Sequence, residues 1–163
     1  MDRLWAPWRM TYIKSIDRDP TECIFCAKPR EDRDRENLIL ARGRAAYVIL
    51  NLYPYNNGHM MVVPYAHTSE LAGLDGGTVG EMWELCRRSV AVLTEAFHPE
   101  GFNIGLNVGR VAGAGIDQHL HLHIVPRWNG DTNFMPVVGD TKVISQSLQE
   151  TWDALQPRYQ GRA

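Results

Sequence analysis

The chain has 163 residues, 44% of them hydrophobic and 22% charged, with 17 Lys plus Arg against 19 Asp plus Glu. At roughly 100–200 residues per domain, one domain over residues 1–163 is expected, able to bury a core without disulfides. The net charge of −2 argues against a nucleic-acid binder, and no apolar run approaches the roughly 20 residues of a membrane span.

Residues 1–36 form an N-terminal segment. Met1–Ser15 is too broken by charge and proline for a secretory signal, so a cytoplasmic location is expected. Trp5, Trp8 and Tyr12 are expected to pack on the domain or on a second subunit. Three cysteines fit poorly with a closed disulfide framework. Cys23 and Cys26 form a C-x-x-C, while Cys86 reads as a buried, inert thiol. The charge run 30–37 predicts a solvated turn or helix end.

Two strands are predicted over 37–41 and 45–51, around the turn Arg42-Gly43-Arg44. The turn-rich stretch 51–58 then leads into an apolar strand, 59–65. A helix is predicted over 78–97, where Val79, Met82, Trp83, Cys86, Val90, Leu93 and Phe97 recur at three- and four-residue steps. Asp75 or Thr78 can cap its start, and Pro99 stops it. Residues 101–108 alternate as a strand, with Phe102, Ile104, Leu106 and Val108 on one side and Asn103, Gly105 and Asn107 on the other. A glycine-rich loop follows, Gly109 to Gly115, and then a strand over 119–126. The tail, 129–163, carries a second predicted helix over 141–159, through Val143, Ile144, Leu148 and Leu155. Strands outnumber helices and come in runs, so the class is α+β with a mainly antiparallel sheet of about five strands and two main helices.

Six histidines are present, and His119, His121 and His123 fall within five residues. On a strand these three share one face, and Leu120, Leu122 and Ile124 take the other and can enter the core. Three imidazoles in a row can be a solvated polar face, a metal-binding patch or the machinery of phosphate chemistry. The loop just upstream, with Gly109, Gly113 and Gly115, can bring backbone N–H groups close to an anion. That combination favours phosphate chemistry, with one imidazole as nucleophile.

The segment HLHLHIV resembles the signature of the histidine triad (HIT) superfamily, His-φ-His-φ-His-φ-φ with φ apolar. Val48 to Pro64, with Asn51, Pro54 and Gly58-His59, resembles the superfamily's nucleoside-binding strand-turn-strand. Asn107, the glycine-rich loop and Pro126-Arg127-Trp128 also match, so the resemblance covers roughly residues 23–128. The tail GDTNFMPVV resembles a bacterial branch that includes diadenosine tetraphosphate phosphorylases and hydrolases.

The resemblance implies a HIT-like fold and a mechanism. His121 would attack the α-phosphorus of a nucleotide, giving a nucleotidyl-histidine that water or another acceptor cleaves. His123 would bind the phosphate oxygens or the bridging oxygen. Asn107 and the loop around Gly115 and Ile116 would do the same from the opposite strand. Some branches carry a serine or glutamine at the positions of Gly115-Ile116, and neither stands at those two positions here. Asn51 would bind the ribose hydroxyls, and His59 would support the triad. Apolar residues around Tyr47–Ile49 are available to clamp the base.

Cys23 and Cys26 need two further ligands to close a tetrahedron. One branch of the superfamily holds zinc with two N-terminal cysteines, a mid-chain histidine and the first motif histidine. That pattern implies Cys23, Cys26, His67 and His119 here, as a structural zinc site. Two buried thiols with an exposed His67 are the alternative, and no thioredoxin-like setting suggests a redox C-x-x-C.

The expected activity is hydrolysis of a nucleoside di- or polyphosphate, with an adenine dinucleoside tetraphosphate as a good candidate and Mg²⁺ able to accompany the nucleotide. A phosphorylase, with phosphate as acceptor, is the alternative within the class. Some phosphorylase branches replace the third histidine by glutamine, and retention of His123 leans towards hydrolysis. A nucleotide-binding interaction module is the alternative of another class. The resemblance also implies a homodimer, with the long helix and an adjoining strand at the two-fold.

Overall fold

The computed structural model describes residues 22–131 and 143–160. Trp5, Trp8 and Tyr12, and most of the tail stretch that resembles one branch, lie outside the described residues. Five antiparallel strands form one sheet: β1 (Ile39–Arg42), β2 (Ala46–Leu50), β3 (Met60–Pro64), β4 (Gly101–Leu106) and β5 (Leu122–Arg127). Their order is β1-β2-β3-β5-β4, which leaves β4 at an edge and seats the histidine strand between β3 and β4. The expected α+β class and five-stranded antiparallel sheet are present.

β2 and β3 are wholly buried, which is why their residues read as continuous apolar runs rather than as an alternation. The turn between them closes at Gly58, whose φ of +75° suits only a residue without a Cβ. A Cβ there would also sit 2.8 Å from Leu93 Cδ2.

Two main helices cover one face of the sheet. α3 (Gly76–Phe97) packs across β2, β3 and β5, and α4 (Leu148–Gln160) packs on β1 and α3. Asp75 caps α3 by accepting the Thr78 N–H at 3.0 Å. His98 ends it in a left-handed turn, one residue before Pro99. α4 begins at Leu148 rather than near 141, because Ser147 and Glu150 form a reciprocal cap. Ser147 Oγ accepts the Glu150 N–H at 3.2 Å, and Glu150 Oε2 accepts the Ser147 N–H at 2.9 Å. Val143 and Ile144 therefore fall outside the helix. α4 is tied down by Trp152 Nε1–H on the Ile39 carbonyl and by Tyr159, whose hydroxyl lies 2.6 Å from Ser89 Oγ in the core.

Among the described residues two short α-helices precede the sheet, α1 (Ile24–Ala27) and α2 (Asp34–Asn37). α2 lies in the charge run, which is fastened rather than loose: Arg35 grips Asp153 bidentately, and Asp34 accepts from Arg42.

β4 runs to Leu106, two residues short of the expected end. Its alternation is as expected, yet Ile104 and Val108 are 40% and 47% exposed. They belong to an edge that no described element covers completely.

Candidate active site and metal centre

Register places the site. His123 on β5 stands opposite Met61 on β3 and Gly105 on β4, and Leu122 opposite Val62 and Leu106. Paired residues share a face, so His123 emerges on the side of Gly105. Leu120, Leu122 and Ile124 are all buried. The expected strand over 119–126 begins only at Leu122. Upstream, the Leu120 N–H bonds to the Thr68 carbonyl at 2.8 Å, and His119 and His121 make contacts of their own.

The three imidazoles have distinct partners. His121 Nδ1 lies 2.8 Å from the His119 carbonyl. A carbonyl only accepts, so Nδ1 carries the proton and Nε2 keeps its lone pair. Burial pushes the His121 pKa down, against the pull of that hydrogen bond, which favours the neutral ring. The His121 ring thus donates from Nδ1 to a backbone carbonyl.

His123 is set differently. The Tyr55 N–H donates to His59 Nδ1 at 3.0 Å, so the neutral His59 ring must carry its proton on Nε2. That Nε2–H faces His123 Nδ1 at 2.9 Å, and a neutral His123 then carries its own proton on Nε2. Burial, with the charges of His123 and His121 adding to it, lowers the His59 pKa to about 3, so His59 stays neutral. His121 and His123 meet edge to face at 4.8 Å. One ring offers a lone pair on Nε2, and its neighbour offers an N–H.

Asn51 lies beside His59, its Nδ2 3.4 Å from both ring nitrogens, and its Oδ1 accepts the Tyr53 N–H at 3.0 Å. Asn107 lines a cleft of about 370 Å³ together with His123, Tyr55, Asn103 and Arg127. Arg127 is braced by Asp131, whose carboxyl it holds well below the usual carboxylate range with help from Asn56 and the Trp128 N–H. Gly115 is exposed on the glycine-rich loop. Ile116 packs against the core and does not line that cleft. Tyr47, Val48 and Ile49 are buried in the core.

A second cluster adjoins the first. The ligand atoms of Cys23, Cys26, His67 and His119 lie within 4.8 Å of one another. Cys23 Sγ is 3.4 Å from His119 Nδ1, Cys26 Sγ is 3.3 Å from His67 Nδ1, and the two Nδ1 atoms are 3.2 Å apart. A tetrahedron with 2.0–2.3 Å metal–ligand bonds has edges of about 3.3–3.8 Å, so these separations suit one cation. His119 Nε2–H donates to the Pro64 carbonyl at 2.8 Å, which turns the Nδ1 lone pair towards the cluster. Burial pushes the Cys23 thiol up, but the adjoining His119 ring and the backbone N–H groups of Cys26 and Phe25 outweigh it and bring it to about 6. Two sulfurs and two imidazole nitrogens are a donor set for zinc.

Sequence reasoning missed Phe25, which contacts both His119 and His121, and the Tyr55 N–H, which orients His59. The C-x-x-C spacing pointed to the knuckle but carried nothing about the residue inside it.

Comparison with known proteins shows what the chain is similar to. The HIT domain family matches residues 33–130. The "AP-4-A phosphorylase" of Mycobacterium tuberculosis is 43% identical over 157 residues, covering 93% of this chain and 80% of that protein. The adenosine 5'-monophosphoramidase of Schizosaccharomyces pombe is 30% identical over 107 residues, covering 66% of this chain and 75% of that protein. A zinc-bound histidine triad family protein from Mycobacterium smegmatis superposes with a TM-score of 0.69 at 27% identity, covering 86% of this chain and 94% of the other.

Proposed function

Because the chain belongs to the HIT domain family, we propose that it cleaves a nucleoside di- or polyphosphate at the α-phosphate, through a nucleotidyl intermediate on His121. One observation carries this: adjacent rings are held in opposite roles, with the Nε2 lone pair on His121 and the N–H of His123 beside it. His121 Nε2 forms a bond to the α-phosphorus as the bond to the bridging oxygen breaks. His123 donates a hydrogen bond to that oxygen or to the phosphate oxygens. An acceptor then attacks the same phosphorus and returns His121 to its starting state.

Asn107 binds the phosphate from the cleft it shares with His123, and the loop at Gly115 and Ile116 completes that contact. Asn51 binds the ribose, at the cost of its present bond to the Tyr53 N–H. The substrate is an adenine dinucleoside tetraphosphate or a close analogue. Water is one acceptor. Phosphate is the other, and it is favoured by the name of the 43% identical mycobacterial protein. Zinc held by Cys23, Cys26, His67 and His119 would be structural, because all four positions are protein ligands. No other such ligand cluster exists among the described residues, so Mg²⁺ would enter on the substrate's phosphates. No helix among the described residues is long and apolar enough to cross a membrane. No cysteine is in a disulfide among the described residues, which suits the cytoplasm.

The test is His121→Ala, assayed with diadenosine tetraphosphate with and without added phosphate. Turnover and any acid-labile protein-bound nucleotide should vanish while nucleotide binding survives. Unchanged turnover would sink the mechanism. With the unaltered chain, ADP plus ATP formed only when phosphate is present identifies phosphate as the acceptor, and AMP plus ATP identifies water.

A further inference from the structure

A metal knuckle needs its two cysteines and asks little of the residues between them. Phe25, between Cys23 and Cys26, is nevertheless only 3% exposed, although its helix is four residues long. Its ring centroid lies 5.1 Å from that of His121 and 5.5 Å from that of His119. Its carbonyl accepts from the buried Tyr47 hydroxyl at 2.8 Å. The knuckle backbone is thus pinned to the floor of the sheet as well as to the metal ligands.

An imidazole attacking phosphorus must hold its Nε2 in line. The His χ2 torsion is broad and roughly two-fold, so the ring needs outside support to stay in one orientation. Three contacts supply it. The His119 carbonyl holds Nδ1 at 2.8 Å, the His123 ring meets His121 edge to face, and the Phe25 ring leans on it at 44°. The hydrogen bond fixes one nitrogen but still allows the ring to rock about it. Phe25 blocks that rocking from the knuckle side. Two of the three supports come from the metal centre: His119 is one of its ligands, and Phe25 sits between two others.

The geometry points to Phe25 as a positioning residue for His121, with the Cys23-Ile-Phe-Cys26 knuckle serving to seat an aromatic ring against the nucleophile. This rests on His121 being the nucleophile. A displacement of about 1 Å can cost on the order of 10²-fold in rate, so loss of the ring should register in kcat rather than in substrate binding.

Phe25→Ala and Phe25→Leu are compared with the unaltered chain, all full-length and zinc-loaded, with diadenosine tetraphosphate as substrate. Zinc content should stay near one per chain and KM within about twofold, while kcat falls roughly 10- to 100-fold in Phe25→Ala. Phe25→Leu keeps apolar bulk and should recover part of the loss. Ring ¹⁵N NMR supplies a readout apart from turnover. His121 should show one sharp set of Nδ1–H ring signals in the unaltered chain and shifted or exchange-broadened ring signals in Phe25→Ala. Should Phe25→Ala not fold, Phe25→Leu alone decides, through a lowered kcat at full zinc content. The proposal is overturned by unaltered kcat and ring signals in a zinc-loaded variant, or by kcat losses that merely track zinc loss. His121→Ala with full turnover would overturn the nucleophile instead, leaving the ring spectra to report the contact.

Discussion

His59 makes no contact with the metal cluster, yet it sets the proton position on His123. Its environment gives it a measurable signature. In the fold its pKa is lowered to about 3, chiefly by burial, against about 6.5 in an unfolded chain. Between these values the unfolded state takes up a proton that the native state refuses. His59 is therefore without cost above about pH 6.5, and it destabilises the fold increasingly as pH falls from there towards 3. The slope is about 1.4 kcal/mol per pH unit. From pH 7 to pH 5, His59→Asn should lose about 2 kcal/mol less stability than the unaltered chain, as measured by urea unfolding. Cys23 and Cys26 are present in both proteins, so proton uptake there cancels in the difference. An equal pH response in the two proteins would contradict a neutral buried His59. The sequence placed His59 near the triad through the HIT resemblance alone. Its tautomer depends on the Tyr55 N–H four residues upstream, and no periodicity reports where a turn aims a backbone donor.

At the scale of elements, what could be read depended on how much of each signal was local. α3 was legible because its apolar steps, the Asp75 cap and Pro99 all lie within its own stretch of chain. The start of α4 was misplaced because Val143 and Ile144 continue the helical spacing. The deciding signal, Ser147-x-x-Glu150, was also in the sequence but is only four residues long. β5 was extended too far upstream because alternation persists through His119 and Leu120. Their backbone and side-chain partners, Thr68 and Pro64, come from another part of the chain. The metal centre is the extreme case, since Cys23 and His119 are separated by 96 residues. Only the HIT resemblance brought them together, and the structure supplies the distances. A metal held by this cluster would fasten α1 to the approach to β5, so its removal should loosen both. Exhaustive chelation, or Cys26→Ser, should lower Tm by about 10 °C, taking roughly 3 kcal/mol lost at about 2–4 °C per kcal/mol. Calorimetry paired with elemental analysis checks this. Protein that is fully stable with no zinc bound would remove the metal from the account.

At the scale of the whole molecule, the described sheet ends in two edge strands, β1 and β4, of which β4 is the longer. Among the described residues β4 pairs with β5 on one side only, which leaves the backbone groups of its outer side without a strand partner there. Ile104 and Val108 are exposed along it, and Trp83 on α3 is 55% exposed. Alternation over 101–108 showed two faces but could not show that the apolar one would overhang the edge of the sheet. That depends on how far α3 reaches across β4, which is a property of the assembled layers. An apolar edge strand is a hazard unless something covers it, and a second copy of the chain is the cover we propose. Two edges meeting about a two-fold would pair both sets of outer backbone groups at once. The cleft containing Asn107 and His123 is also lined by Asn103, Ile104 and Gly105 of this strand. Dimerisation would therefore brace one wall of the proposed site. Sedimentation should give twice the chain mass of 18.5 kDa. Ile104→Lys should shift the protein towards the monomer by placing a like charge on each side of the two-fold. Oligomeric state, not turnover, is the readout for this variant, because Ile104 itself lines the cleft. A dimer unmoved by Ile104→Lys would place the interface elsewhere, and a native protein sedimenting at a single chain mass would remove it.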